Sequence, residues 1–380
     1  VTVSVARPLT LDELRRCAIA RSLFKPTTLP VAIRRLGFVQ ADPMRAPARA
    51  QDLILSHRVK GYRAGDLERR YPKLDVDEDC FVNYGFLPRD ALALLHPRVP
   101  RQAWDATTTA RARELLAFVR ERGAVHPATV QQAFAHHGRA TSAWGSSLQA
   151  TTHLLDDMHY RGWLRVQRRE AGTRVFEAVD HPAADDSPIA RRARAQALID
   201  LIVGLYAPLP AASLTYLARL LRYGVPHLET EIREACSQAK RRYARTEMEG
   251  QTWYWPGDEN PRSRRHQADD QVRFLAPFDP VVWDRRRFEL FWDWAYKFEA
   301  YVPAAKRTMG HYAMPVLWGE QMLGWANLSV VNGRLKHSLG YAQGAAPRSA
   351  AFRRNLSQAL RAFEVFLGIG GETGARNDSA

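Results

Sequence analysis

Along the first two thirds of the chain apolar residues recur three and four apart, which lines one face of a helix; beyond residue 270 the spacing shortens toward the alternation of strands. Thr10-Leu11-Asp12-Glu13 has the form of a capping box, and Leu11, Leu14, Cys17 and Ala18 follow at helical spacing as far as Leu23. A second helix is predicted over 29–36, a strand over 38–42 and a third helix over 48–58. That third helix carries Leu53, Ile54 and His57 on one side, with Arg45, Arg49 and Arg58 available for the other. This order suits a helix-turn-helix core.

In the middle of the chain Thr108 is placed to cap a helix carrying Leu115, Leu116 and Val119 that ends at Gly123. Pro127 opens a second helix, and 147–161 supplies a third with Leu148, Leu154 and Leu155. Strand-like runs over 163–169 and 174–178 flank the turn Glu170-Ala171-Gly172-Thr173, and three helices followed by a tight hairpin is the layout of a winged helix. The layout repeats, with helices over 191–206, 212–221 and 226–240 and a hairpin of 243–248 and 251–255 around Glu249-Gly250. The stretch 256–270 reads as a linker. Short strands are expected over 298–302, 311–317, 321–328 and 335–341, the last two joined at Asn332-Gly333, and they suggest a small antiparallel barrel or curled sheet. A final helix over 349–367 carries Phe352, Leu356, Leu360, Phe363 and Phe366, and the tail after Gly368 is expected to be loose.

Composition narrows the setting. With 380 residues, 46% of them hydrophobic, the chain is expected to form several domains. Its formal charge of +15 favours a polyanionic partner, and because the excess is mostly arginine, whose planar fork pairs with phosphate and stacks on bases, nucleic acid is favoured over an acidic membrane. Cys17, Cys80 and Cys236 are too few and too scattered for a disulfide framework or a zinc cluster. No window approaches the ~20 apolar residues of a membrane span, and 1–9 lacks a signal-peptide core, so a cytoplasmic setting, associated with the nucleoid, is expected.

Within this frame Gly37-Phe38-Val39-Gln40-Ala41-Asp42-Pro43 sets an amide and a carboxylate two residues apart in an apolar run. In extended backbone Gln40 and Asp42 point the same way, and Pro43 stops the ladder, so the pair is placed at a strand end facing a cleft. The same residues also suit a turn that leads into the next helix. Other chemistry is sparse. No zinc-protease motif or phosphate loop occurs, and Gly368-Ile369-Gly370-Gly371 follows a helix where a dinucleotide fingerprint needs a strand. His136-His137 lacks further ligands at metal spacing, and His227 and Glu229 suit a helix start, so neither metal nor cofactor is expected. Trp283, Trp292, Trp294 and Trp318 fit either a base-stacking platform or interior packing. Arg168 and Arg169 on the first hairpin, Arg285-Arg286-Arg287 and Lys306-Arg307 are candidates for phosphate contacts, against the alternative of a solvated surface.

Several strings together resemble the bacterial winged-helix DNA glycosylases of the crosslink-repair YcaQ/AlkZ family. They are residues Gly37 to Asp42, Ala48 to Arg58, Pro277-Phe278-Asp279-Pro280-Val281-Val282-Trp283-Asp284-Arg285, and Tyr301-Val302-Pro303-Ala304-Ala305-Lys306-Arg307. The similarity runs in order from Leu9 to about Phe366. It implies a mainly α fold with β: three tandem winged helices (1–100, 101–185, 186–265 with the linker), a β-barrel (266–345), and a terminal helix with its tail (346–380). It further implies hydrolysis of the N-glycosyl bond of alkylated purines, including N7-linked bulky adducts and crosslinks between strands, in double-stranded damaged DNA by a monomer, with Gln40 and Asp42 as the catalytic pair of the Gln-x-Asp branch. DNA contacts are then expected from Arg45, Arg49, Arg58, Arg168, Arg169, Arg285, Lys306 and Arg307. No lysine nucleophile sits in the motif, so a monofunctional enzyme is expected. The chain departs from the crosslink-unhooking branch at Val82 and Asn83, which stand where that branch has histidine and glutamate, so the resemblance carries the glycosidic chemistry further than the substrate. The rival reading is a winged-helix regulator or structural DNA-binding protein with an inert pair; an RNA or acidic-protein partner rests on net charge alone.

Overall fold

Thr10 accepts the Glu13 N–H and the Glu13 carboxylate reaches back to the Thr10 N–H, so the capping box starts helix Leu11–Ser22. The computed structural model describes residues 7–135, 139–141, 147–183 and 185–369; His136-His137 and the tail 370–380 lie outside them. Helix Leu29–Leu36 ends at Gly37, whose φ of 73° is the left-handed conformation that closes helices. The chain then forms strand Val39–Gln40, shorter than the 38–42 expected, because Asp42 already folds into a turn on the Met44 N–H. This strand lies against Tyr84–Pro88, which in turn pairs with Val76–Cys80. Gln40 faces Gly85 in register, and a Cβ at Gly85 would run into the Val39 carbonyl and the Phe38 ring. Glycine is therefore what lets the strands close beside the polar motif.

Helices Ala106–Arg122, Pro127–Ala133 and Ala150–Tyr160 lead into the hairpin of Leu164–Glu170 and Thr173–Ala178. The cap of the first is Asp105 rather than Thr108. Its carboxylate takes the Thr108 N–H at 2.6 Å, and a charged acceptor there also answers the helix dipole. Helices Pro188–Tyr206, Ala211–Leu220 and Glu229–Ser237 then lead into Ala244–Met248 and Gln251–Trp255. The helix expected over 226–240 is interrupted, with a 3-10 turn before Glu229 and a break after Ser237, whose hydroxyl bonds back to the Glu234 carbonyl at 2.7 Å. Residues 256–270 form turns without helix or strand.

In the C-terminal part, strands Val272–Phe274, Met314–Trp318, Gln321–Val331 and Arg334–Tyr341 form one antiparallel sheet in that order. The barrel does not close: no ladder joins the first strand to the last among the described residues. Helix Ala350–Leu367 packs along Val272–Phe274 instead, with Phe363 edge-on to Phe274 at 5.9 Å, so a helix covers what a closing strand would have paired. Segment 298–302 is a loop, not a strand. The Glu299 carboxylate accepts the N–H groups of Thr308, Met309 and Gly310 and folds the chain back on itself. Two short helices, Pro280–Trp283 and Arg285–Trp292, lie within the 266–345 segment assigned to the barrel, ahead of its expected strands. All these parts share one apolar core reaching from Leu14 to Phe366, while a smaller cluster joins Ile19 of the first helix to Val281, Phe288 and Leu317.

Candidate active site

Gln40 is only 4% exposed, and its Oε1 has no hydrogen-bond partner among the described residues. Its backbone is held in the ladder with Tyr84–Pro88, and the Ala41 N–H donates to the Tyr84 carbonyl at 3.0 Å, which fixes the exit of the strand. Asp42 is half-buried. Its Oδ1 accepts the Met44 N–H at 2.8 Å, its own N–H reaches Gln51 Oε1 at 3.4 Å, and no other donor reaches its carboxylate among the described residues. Burial pushes the Asp42 carboxyl above its ordinary value, and the Met44 hydrogen bond offsets only part of that rise. Val82 and Asn83 occupy the hairpin turn that follows Val76–Cys80. Val82 belongs to the core and Asn83 accepts the Tyr84 N–H, so this turn brings no ionisable group to the pair.

The strand next but one to Gln40 is acidic and yet buried. Asp77 pairs with Arg89 and Arg165, Glu78 with Arg169 and the Tyr84 hydroxyl, and Asp79 with His96 and Arg98. Arg169 donates to Glu78 Oε1 at 2.7 Å and to the Gly172 carbonyl, while Glu68 bridges the Gly172 N–H and Arg49. The hairpin tip at Ala171-Gly172 is thereby docked on the N-terminal part. Arg169, read from sequence as a phosphate contact, is an internal tie. Arg58 requires the same correction: it is fully buried in a two-point pair with Asp279, at 2.8 and 2.9 Å, and also donates to Ile54 and Ser22. A charge without solvent access holds a structure together and does not reach DNA.

The remaining basic candidates divide by exposure. Arg285 is spent on the Val282 and Pro277 carbonyls and lies over the Tyr296 ring, and Arg307 donates to the Val302 and Ala300 carbonyls. Arg49 and Arg168 are part-exposed and paired with Glu68 and Glu170. Arg45 and Lys306 are exposed and lack side-chain partners among the described residues. Among the tryptophans, Trp292 and Trp294 pack on Phe288 and Trp318 on Phe352.

A family model described as DNA glycosylase AlkZ-like matches residues 33–366. The chain belongs to the AlkZ-like DNA glycosylase family. The solved structure of Streptomyces sahachiroi DNA glycosylase AlkZ has the same fold, with a TM-score of 0.60 at 13% identity over 96% of this chain and 98% of that one. Two of the four strings that carried the resemblance meet inside this AlkZ-like chain, since Arg58, at the end of the string from Ala48, grips Asp279 of the string from Pro277.

Sequence reasoning on this AlkZ-like chain passed over two side chains beside the pair. Gln51 touches the Asp42 backbone as described. Tyr312 is 4% exposed with its hydroxyl unpartnered; burial, followed by the Asp42 charge, raises its phenol above the ordinary value, so it stays a donor. Tyr312 comes from the loop before Met314–Trp318, some 270 residues away in sequence. Its position in a run read as strand was no signal. Among the described residues no cluster of metal-ligating groups occurs and no helix is long and apolar enough to cross a membrane.

Proposed function

We propose that this chain is a monofunctional DNA glycosylase that hydrolyses the N-glycosyl bond of N7-alkylated purines in duplex DNA, with Asp42 as the essential group and Gln40 as its support. The observation that carries the reading is a half-buried carboxylate, raised by burial, two residues from a buried amide oxygen that has no partner. Alkylation at N7 leaves the base cationic and already a good leaving group, so no protein acid is needed to expel it. What the protein has to provide is stabilisation of positive charge on the sugar and a directed water. An ionised Asp42 opposes the oxocarbenium-like centre, where low local dielectric strengthens the attraction, and takes the proton of the attacking water. The raised value makes it a better base near neutral pH than an ordinary carboxylate. Gln40 Oε1 accepts from that water and sets its approach.

The three helix-rich segments closed by small sheets are read as consecutive winged-helix units over 1–100, 101–185 and 186–265, followed by the C-terminal sheet over 266–345 and the terminal helix from 346. The monomer engages DNA in the cytoplasm through exposed basic side chains, Arg45 and Lys306 first. The missing histidine and glutamate at Val82 and Asn83 fit lesions that are themselves cationic better than they fit a substrate needing a second acid. Single-turnover release of 7-methylguanine from methylated duplex tests the reading. Asp42→Asn is expected to lose about 10²- to 10⁴-fold; a rate within a few-fold of the parent overturns it, and steep salt-dependent binding to a defined sequence without product would favour a regulator.

A further inference from the structure

A cavity of about 390 Å³ lies between helix Ala211–Leu220 and the Pro280–Trp283 turn. Its walls are aromatic. Trp283 is backed by buried Tyr206 at 5.8 Å and faced by Tyr216, which is 42% exposed, at 6.3 Å and 30° from parallel. Tyr216 already stacks on Trp283, and because it is exposed it can swing aside so that a planar base takes its place against the indole.

Two residues of the cavity wall each hold a buried polar atom without a partner among the described residues: Ser213 Oγ, in a residue 1% exposed, and Asp284 Oδ2, in a residue 3% exposed. Leaving such groups unmet is costly. No neighbouring arginine meets the carboxylate, because Arg287 donates to the Tyr206 and Pro280 carbonyls and Arg285 to those of Val282 and Pro277. Asp284 Oδ1 is already used on the Arg287 N–H. What is missing is a ligand edge with adjacent N–H donors. Among the DNA bases guanine has that edge, its N1–H and N2–H lying side by side to meet Oδ2 and Oγ. Exposed Arg286 stands at the rim, where a sugar-phosphate would leave.

We infer that this cavity binds an unpaired guanine-type base, stacked on Trp283 in place of Tyr216 and read by Asp284 and Ser213. The inference rests on the reading of the chain as a DNA glycosylase. It gains from continuity with the Asp42 site: Phe278 of the cavity wall meets Phe298 at 5.1 Å, and Phe298 meets Tyr312 at 5.5 Å. The base comes either from the bound strand or from the released product.

Binding to full-length Asp42→Asn protein, which separates this site from turnover, distinguishes the two sources. The protein is titrated by calorimetry with a duplex carrying one bulged guanosine, the same duplex with a bulged thymidine, and free 7-methylguanine. The bulged guanosine is expected to bind at least about fivefold tighter than the bulged thymidine, with Trp283→Leu erasing about fivefold or more of that affinity and Asp284→Asn erasing the preference. Binding of free base alone, lost in the same variants, assigns the cavity to the product. Equal affinity for the two bulges without free-base binding, or a Trp283→Leu protein that binds both probes like its parent, overturns the inference. A chain that releases no base from methylated DNA yet prefers the bulged guanosine would sink the glycosylase reading and leave the cavity standing.

Discussion

At the level of single residues, Asp42 serves two opposed demands. Burial raises its pKa, which means the folded chain holds that proton more tightly than the unfolded one. Stability from this group is therefore greatest at low pH and declines as pH rises from the ordinary ~3.9 through the folded value. On the proposed mechanism activity runs the other way, since only the ionised form accepts the water proton. The single-turnover rate is expected to rise with pH through an apparent pKa above the usual carboxylate range, and Asp42→Asn is expected to abolish that limb while leaving the thermal midpoint unchanged or slightly higher. A variant that loses activity together with stability would mark Asp42 as a structural residue. The placing of Gln40 and Asp42 at a strand end was legible because a polar insertion in an apolar run is a local pattern. Tyr312 was not, because the electrostatic influence of Asp42 on it joins residues some 270 apart in the chain.

Between elements, the same division recurs in sharper form. The hairpins at Ala171-Gly172, Glu249-Gly250 and Asn332-Gly333 could be read from sequence because a two-residue turn with both φ positive selects glycine locally. Strand Val76–Cys80 could not. Three consecutive acids at Asp77, Glu78 and Asp79 carry no local mark of a buried strand, and only Arg165, Arg169 and Arg98, brought in by the fold, make burial tolerable. The same long-range pairing places Arg58 on Asp279 and Arg169 on Glu78, where sequence alone had put both at DNA. Removing Arg169 leaves Glu78, 1% exposed, as a buried charge without its main partner. Arg169→Met is expected to cost about 3–5 kcal/mol in urea unfolding, and adding Glu78→Gln to recover most of it. A residue that served DNA instead would show weakened binding with stability intact. Asp279→Ala, which strands Arg58, is expected to destabilise by a similar amount.

Over the whole molecule, the arginine count overstates the surface offered to a polyanion, because Arg58, Arg169, Arg285 and Arg287 are turned inward onto carboxylates and carbonyls. What remains for DNA is fewer cations, placed on loops that the fold holds firmly. Lys306 is the clearest case. It rides on the loop closed by Glu299, where burial pushes the carboxyl up but three backbone N–H groups and the Thr308 hydroxyl outweigh it and hold it down at about 2. That tie adds stability at neutral pH and is lost as pH falls from about 4.3 toward 2. Two variants separate charge from scaffold. On the proposed reading Lys306→Ala removes one phosphate contact, so log affinity for duplex against log salt is expected to flatten by about 0.9, with affinity falling evenly across sequences. Glu299→Gln keeps Lys306 but trades a charged acceptor for a neutral one. It is expected to raise amide exchange at Thr308, Met309 and Gly310 and to weaken binding without changing the salt slope. A flattened slope in Glu299→Gln, or an unchanged one in Lys306→Ala, would show that phosphate is met elsewhere, and Arg45 beside the Asp42 turn would then be the cation to remove.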